Sequence, residues 1–527
     1  MAMVGRHPRG QWLTLPRFVA LLGLAAGMLA ARPQVTDPDF WWHLRNGNTM
    51  LSTGHLIHIN PYAFMAPGHH WVLQEWLSET WMAFVVAFSG RLGVAVVYWL
   101  ITLAMLLVIW ARAKELGPVN GITVGVGLLL GALTAYPILG PRSQMESYLL
   151  IGVVLLVVER QLRRGGRIAW ALPFLFLFWT NLHAGFIMGL ILLLAVLAGE
   201  GVCVALDRRT REQRARILQL LWATIASFAA SLINPNGPVI IIYPFQTQFS
   251  SAQQNLIQEW HSPDFHVGVL APLLIFIASL LFLVVRYRGL PLRELLVLGL
   301  SLLVSLQSVR NLVILVVSGI PVWIFLAERI RQELAARWHL RLRPRQPPLA
   351  VLLELVALGA LGAVLGVQVT VLASPPLYSA TYVGAFPVCA ARWLETAPAG
   401  LRIFNQYGDG GFLAYTVPQD KVFVFGDAAL MGSRVLREYA DIVDLSPSWL
   451  NSLDASPSEL VLFERGSAFP DALQRQPNWT LVYRDQRVEI FARTSLLATL
   501  HLPANPSAGY WIDRGIPACA AQANALP

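Results

Sequence analysis

What most limits this chain is its series of long apolar runs. Stretches such as "RFVALLGLAAGMLAA", "GVAVVYWLITLAMLLVIWA" and "LAVLLELVALGALGAVLGVQVTVLA" approach the ~20 residues that a helix needs to cross a bilayer core. Eleven such runs are expected to span, at about residues 13–31, 94–111, 121–139, 145–159, 169–182, 186–206, 217–233, 269–286, 293–307, 311–327 and 349–373. Only 13% of the 527 residues are charged, against roughly a quarter in soluble domains. The fold class read from this is an α-helical polytopic membrane protein. The shorter run "WMAFVVAF" near residue 84 suits an interfacial helix. Arg6, Arg9 and Arg17 precede the first run, but "AARPQVTD" is a mediocre cleavage sequence, so that run is expected to stay as an anchor.

A net charge of +9 in a soluble protein would suggest nucleic acid. Here topology accounts for it. The N-terminal arm and the connections on one side of the spans hold 23 of the 39 basic residues, and the opposite connections hold five, Arg32, Arg45, Arg91, Arg142 and Arg310. Positive residues stay cytoplasmic, so the N-terminus is expected inside, with the loop 32–80 and everything after residue 373 outside. No nucleic-acid partner is implied.

Four parts follow: a basic arm and first span (1–31), an external loop expected to be catalytic (32–80), a multi-span body (81–373) and an extracytoplasmic region (374–527). In the last, "LRIFN", "GFLAYT", "KVFVF", "ELVLFE", "WTLVYRD" and "VEIFAR" are short runs rich in β-branched and aromatic residues, which is how strands read. "SRVLREYADIV" and "SPSWLNSLDAS" have helical spacing, so this part is expected to be a small soluble α/β domain. Cys389 and Cys519 both fall in it, where a disulfide is chemically permitted.

The loop 32–80 opens on "TDPDFWWHL", two acids one residue apart beside an apolar segment. Charges are costly near low dielectric, so Asp37 and Asp39 are read as functional. The same loop carries Glu75, Glu79 and five of the eleven histidines, His43, His55, His58, His69 and His70; the last two read as ordinary membrane-surface side chains. A second outer loop, 234–268, offers Glu259, His261 and Asp264. Arg142, His183 and Arg310 stand at outer span ends, and together these groups form a polar rim.

Acids and cations at one end of a helix bundle suit transfer from a lipid-borne phosphate to a water-side acceptor. Asp37 or Asp39 would serve as base, a role contributing about 10²- to 10⁴-fold. Arg142, Arg310 or His183 would stabilise the departing phosphate. His43, Glu259 and His261 complete the expected substrate-binding set. The carboxylates of Asp37 and Asp39 are also suited to Mg²⁺ or Mn²⁺, and the sequence leaves metal use open.

Beyond this chemistry, "TDPDFWWHLRNGNTMLSTGHL", "HHWVLQEWLSE", "WTNLHAGF", "SLINPNG", "IQEWHSPDF" and "SVRNLVIL" resemble the bacterial branch of the GT-C glycosyltransferases. These integral membrane enzymes take sugars from polyprenyl-phosphate carriers. "FNQYGDGGFLAYTVPQDKVFVFGD" resembles the extracytoplasmic domain attached to many of them. The resemblance implies a bacterial inner-membrane enzyme with a polyprenyl-phosphate-sugar donor and a glycan, lipid or protein acceptor. It implies a catalytic acid at Asp37 or Asp39 with Glu75 as neighbour, and inversion at the sugar carbon. The chain departs from the pattern at Asn60-Pro61, where Asp-Pro is frequent, and at "FGDAALMG", where Asp-Gly-Arg is common. The C-terminal domain is therefore read as a binding or positioning module. The alternatives are a transporter or lipid flippase, which would need acids inside the spans, and a non-catalytic envelope scaffold.

Overall fold

The computed structural model describes residues 15–31, 35–338, 347–373, 382–504, 506, 518 and 519. Arg6, Arg9 and Arg32 and part of the basic linker before the last apolar run lie outside these residues.

A helix occupies each of the eleven apolar runs. Four helices, Leu92–Leu116, Phe186–Ala205, Gly268–Tyr287 and Val309–Arg337, are long and apolar enough to cross a membrane by length and composition. Leu15–Ala30, Gly121–Ala135 and Ile168–Leu182 are shorter apolar helices. Val309–Arg337 is the central one, 78% buried over its apolar window. A charge is also sealed inside the bundle: Arg112 donates to the Ser318 carbonyl at 2.7 Å and to Glu294 at 2.6 Å. The run near residue 84 forms a helix of its own over 76–89, split from Leu92–Leu116 by Gly90, whose φ of +58° an L side chain rarely adopts. It leaves Phe84 and Phe88 exposed and stacked, centroids 6.3 Å apart.

The C-terminal region is built on five strands, β1 (Arg402–Asn405), β2 (Lys421–Val422), β3 (Leu460–Glu464), β4 (Trp479–Arg484) and β5 (Val488–Arg493), in the order β2-β1-β3-β5-β4. β2 and β3 flank β1 in parallel, and β5 joins antiparallel to both β3 and β4. "GFLAYT", expected as a strand, is the helix Gly410–Thr416. Topology decides this. Parallel β1 and β2 cannot be joined by a tight turn and need a crossover; this helix supplies it, burying Phe412, Leu413 and Ala414. Cys389 and Cys519 form a disulfide, which ties the end of the chain to this region.

The region is joined to the bundle through the loop after the first helix. Residues 62–64 add to the free edge of β2, with Val422 N–H donating to the Tyr62 carbonyl (3.1 Å) and Phe64 N–H to the Val422 carbonyl (3.0 Å). Arg45 reaches the carbonyls of Ala414 and Pro418. Asn60, at the departure from the Asp-Pro pattern, is buried and structural: its Oδ1 accepts from Tyr62 and Ala63 N–H, and its Nδ2 donates to the Ala66 carbonyl.

Candidate active site

The "TDPDFWWHL" segment feeds directly into a helix, Phe40–Thr53, which ends at Gly54 in the left-handed conformation (φ 70°). Its aromatic side chains are not a membrane anchor. Trp41 is buried among Tyr382, Phe386, Phe412 and Tyr415, and Trp42 against Trp71 and Phe425. The helix is thus fixed between bundle and C-terminal region, with the acid pair at its start. It crosses helix 76–89 at Gly47, where a Cβ would stand 2.0 Å from the Glu79 carbonyl oxygen. That close approach brings His43 and Asn46 onto the Glu79 carboxylate, at 2.8 and 3.0 Å.

The expected residues converge on two linked networks. In the first, Asp37 Oδ2 pairs with Arg142 Nε at 2.5 Å, and Arg142 bridges onward to Glu259 Oε1 at 2.9 Å. Asp37 Oδ1 accepts the Asp39 backbone N–H at 2.8 Å, and Asp39 Oδ1 accepts the Trp42 indole N–H at 3.0 Å. The other Asp39 oxygen has no hydrogen bond among the described residues. In the second network, Glu75 accepts from Ser143 Oγ at 2.5 Å and faces His43 Nε2 at 3.4 Å and His183 Nε2 at 3.5 Å. His183 Nδ1 accepts from Gly185 N–H at 2.8 Å, which assigns the proton of the neutral ring to Nε2, toward Glu75. Ser143 and Arg142 are consecutive, so one turn joins the two networks.

Burial and charge sort these groups by protonation. Enclosure pushes the Asp39 carboxyl up to about 6, the neighbouring Asp37 charge adding to the effect. Burial pushes Glu75 up to about 7, against the pull of His43 and Ser143. For His43 burial works downward, but Glu75 and Glu79 outweigh it and carry the imidazole up to about 9. Burial, Arg310 and His43 together hold His183 down at about 3, so it stays neutral. Arg142 is held above its ordinary value despite burial, chiefly by Asp37.

Arg310 stacks over the Trp260 ring at 4.7 Å, and its carbonyl accepts the Tyr148 hydroxyl at 2.5 Å. Its guanidinium has no carboxylate within ion-pair distance among the described residues. It is close enough to lower both Glu75 and Glu259. His261 departs from expectation. Its Nε2 contacts the Asn255 carbonyl in its own loop (3.2 Å) and its side chain is exposed, because Val309 N–H and Ser308 Oγ hold this segment by the His261 and Glu259 carbonyls.

The acid pair is not arranged as a cation site. Both oxygens of Asp37 are engaged, one by a guanidinium, and among the described residues no three His, Cys, Asp or Glu side chains are grouped to hold a metal. The residues present do not fit the Mg²⁺ or Mn²⁺ to which the carboxylates of Asp37 and Asp39 are suited by type.

Other groups at the site lie outside the expected set. Glu79 is four residues from Glu75 on one helix, a same-face spacing readable in "EWLSE". From the C-terminal region, Gly426 rests on Asp39, where a Cβ would fall 1.5 Å from Oδ1. The next residue, Asp427, accepts from the Trp71 indole at 2.7 Å, and Tyr407 donates to the Gly426 carbonyl at 3.2 Å. No local pattern shows which loop of a distant region will settle on a given acid.

No protein-family model matches the chain, and no curated protein matches it. Solved structures do. The archaeal oligosaccharyltransferase AglB from Archaeoglobus fulgidus, in complex with an inhibitory peptide and a dolichol-phosphate, is 10% identical with a TM-score of 0.52, over 85% of this chain and 69% of that one. The oligosaccharyltransferase of the same organism, tethered with an acceptor peptide containing the NVT sequon, gives 10% identity and a TM-score of 0.53 over 92% and 74%. Its apo form gives 10% and 0.52 over 95% and 78%. At this identity the likeness establishes the fold alone, which this chain shares with that oligosaccharyltransferase.

Proposed function

We propose that this protein is an inverting glycosyltransferase that moves a sugar from a polyprenyl-phosphate donor to an acceptor at the outer face of a bacterial inner membrane. The observation that carries the reading is the Asp37–Arg142–Glu259 chain beside Asp39, at one end of a helix bundle with the oligosaccharyltransferase fold. The structures of that fold are described with a dolichol-phosphate and with an acceptor peptide, a lipid phosphate and a transfer acceptor.

Asp39 is the base. It is raised toward neutrality, where a carboxylate combines ionisation with proton affinity, and it has an oxygen free of hydrogen bonds among the described residues. The acceptor hydroxyl gives its proton to Asp39 as its oxygen attacks the anomeric carbon. The carbon–oxygen bond to the carrier phosphate breaks, and the polyprenyl phosphate leaves with the bonding pair. Arg310, without an acid partner among the described residues and held over Trp260, receives that phosphate. Asp37 holds Arg142 in place, while Glu75, His43 and His183 shape the floor. Glu259 fixes the second outer loop to Arg142.

In the same reading all eleven apolar helices cross the membrane, the N-terminus is cytoplasmic, and the parts divide at 31, 80 and 373. The one-sided distribution of basic residues supports this orientation, as does a disulfide in the part assigned outside. The test is to incubate purified protein with polyprenyl-phosphate sugars and candidate acceptors. The reading expects free polyprenyl phosphate and a product of inverted anomeric configuration; retention of configuration would contradict it.

A further inference from the structure

The helix Gln144–Arg164 begins beside the Arg142 and Ser143 contacts of the acid site. Its 21 residues carry the chain about 30 Å to the opposite end of the bundle. There a cavity of about 800 Å³ opens between the ends of Gln144–Arg164, Phe186–Ala205, Arg211–Ser231 and Leu292–Gln307. Arg163, Arg208, Arg209, Arg216 and Arg293 line it, with Glu200 as the acid in its wall.

The charges here do not balance. Arg209 and Arg293 share Glu200, at 2.6 and 2.7 Å, Arg163 and Arg293 share Glu159, and Arg216 reaches Glu212. Five arginines thus meet three acids, a fourth, Glu294, being taken by Arg112 at 2.6 Å. Arg208 is exposed and has no carboxylate partner among the described residues. Arg293 is only 8% exposed, and its Nε–H has no hydrogen-bond partner among the described residues, a Glu294 oxygen standing 3.8 Å away. The exposed, unpaired Arg208 and the surplus of guanidinium over carboxylate leave the cavity wall net positive, which favours a ligand that supplies anionic oxygens. Val202, Leu206 and Leu295 also line the cavity and are 46%, 55% and 41% exposed. A small soluble anion has no use for those side chains, whereas a lipid does.

We propose that this cavity binds the phosphate headgroup of an anionic membrane lipid, with acyl chains along Val202, Leu206 and Leu295. Arginine forks match phosphate oxygens bidentately, and basic pockets between membrane helices suit such headgroups. The inference rests on the bundle lying in a membrane and is independent of the acid pair and of transferase activity.

Full-length protein in phosphatidylcholine nanodiscs, titrated with phosphatidylglycerol or with inorganic phosphate and read by native mass spectrometry, tests it. Phosphatidylglycerol should be retained over phosphatidylcholine. Retention should weaken about tenfold or more in the Arg163→Gln/Arg208→Gln double variant and be unchanged in Arg337→Gln, which lies outside the cavity. If the double variant unfolds, Arg208→Gln alone, which breaks no ion pair among the described residues, carries the test. Equal retention of the two lipids, or undiminished phosphatidylglycerol retention in the folded cavity variant, overturns the proposal. Binding of inorganic phosphate with no preference between lipids overturns the lipid as source.

Discussion

Gly426 and Asp39 lie so close that a Cβ on the glycine would stand 1.5 Å from the carboxylate oxygen. The backbone of the C-terminal region is therefore the wall behind the proposed base. Gly426→Ala must move the carboxylate, since the added methyl and Oδ1 cannot share the space. Misplacement of a reacting group by about 1 Å costs on the order of 10² in rate. The expected outcome is a fall of that order in kcat with little change in donor KM, measured by transfer kinetics alongside thermal unfolding.

The pH profile of transfer should have an acid limb set by Asp39. Its pKa is raised to about 6, so below that pH the carboxyl holds a proton and cannot accept one from the acceptor. The rate should fall about tenfold per pH unit on the acid side. A second decline is expected as pH rises through about 9, where His43 loses the proton that separates the charges of Glu75 and Glu79. Steady-state rates from pH 4.5 to pH 10 in about unit steps resolve both limbs.

Arg310→Gln removes the cation proposed to receive the leaving phosphate. A hydrogen bond to a charged group contributes about 1.5–3 kcal/mol, so kcat/KM for the donor should drop by about tenfold or more. The melting temperature should stay near that of the wild type, because the guanidinium makes no ion pair among the described residues. Binding of polyprenyl phosphate alone, measured by calorimetry, should weaken in parallel.

Arg142→Gln is expected to act on stability instead. It strips the partner from Asp37 and Glu259 together, and breaking a buried pair costs about 3–5 kcal/mol. Glu259 is partly exposed, so the lower end is expected. Thermal unfolding in detergent, compared with Arg310→Gln, separates the two arginines by role.

Chelation should leave transfer unchanged, since Asp37 is already engaged by Arg142 and no three His, Cys, Asp or Glu side chains among the described residues are grouped to hold a metal. Assays after extensive treatment with EDTA, with and without added Mg²⁺ or Mn²⁺, measure this. Loss of activity restored by one of these ions would return the metal to the mechanism.

Much of the bundle was legible because hydrophobic length is a local property: each apolar run holds its own helix. The acid pair stands out in the sequence for a related reason, a charge beside apolar sequence being too costly to leave unexplained. What the sequence hid is where distant segments meet. "GFLAYT" carries strand-like residues, yet parallel pairing of β1 with β2 required a crossover, and the run became a helix. Phe40, Trp41 and Trp42 look like interfacial aromatics beside a membrane segment, but they are core residues of a junction that forms only once the C-terminal region docks. His261 sat in the right loop, but the backbone bonds of that loop turned its ring elsewhere.

The most direct test of the central claim is transfer by Asp39→Asn, an isosteric change that keeps the contact with Trp42 and removes the proposed base. Proton removal by a positioned carboxylate contributes about 10²- to 10⁴-fold, so the variant should fold, bind polyprenyl phosphate as before and lose at least two orders of magnitude in rate. A folded Asp39→Asn protein that transfers sugar at the wild-type rate would contradict the account.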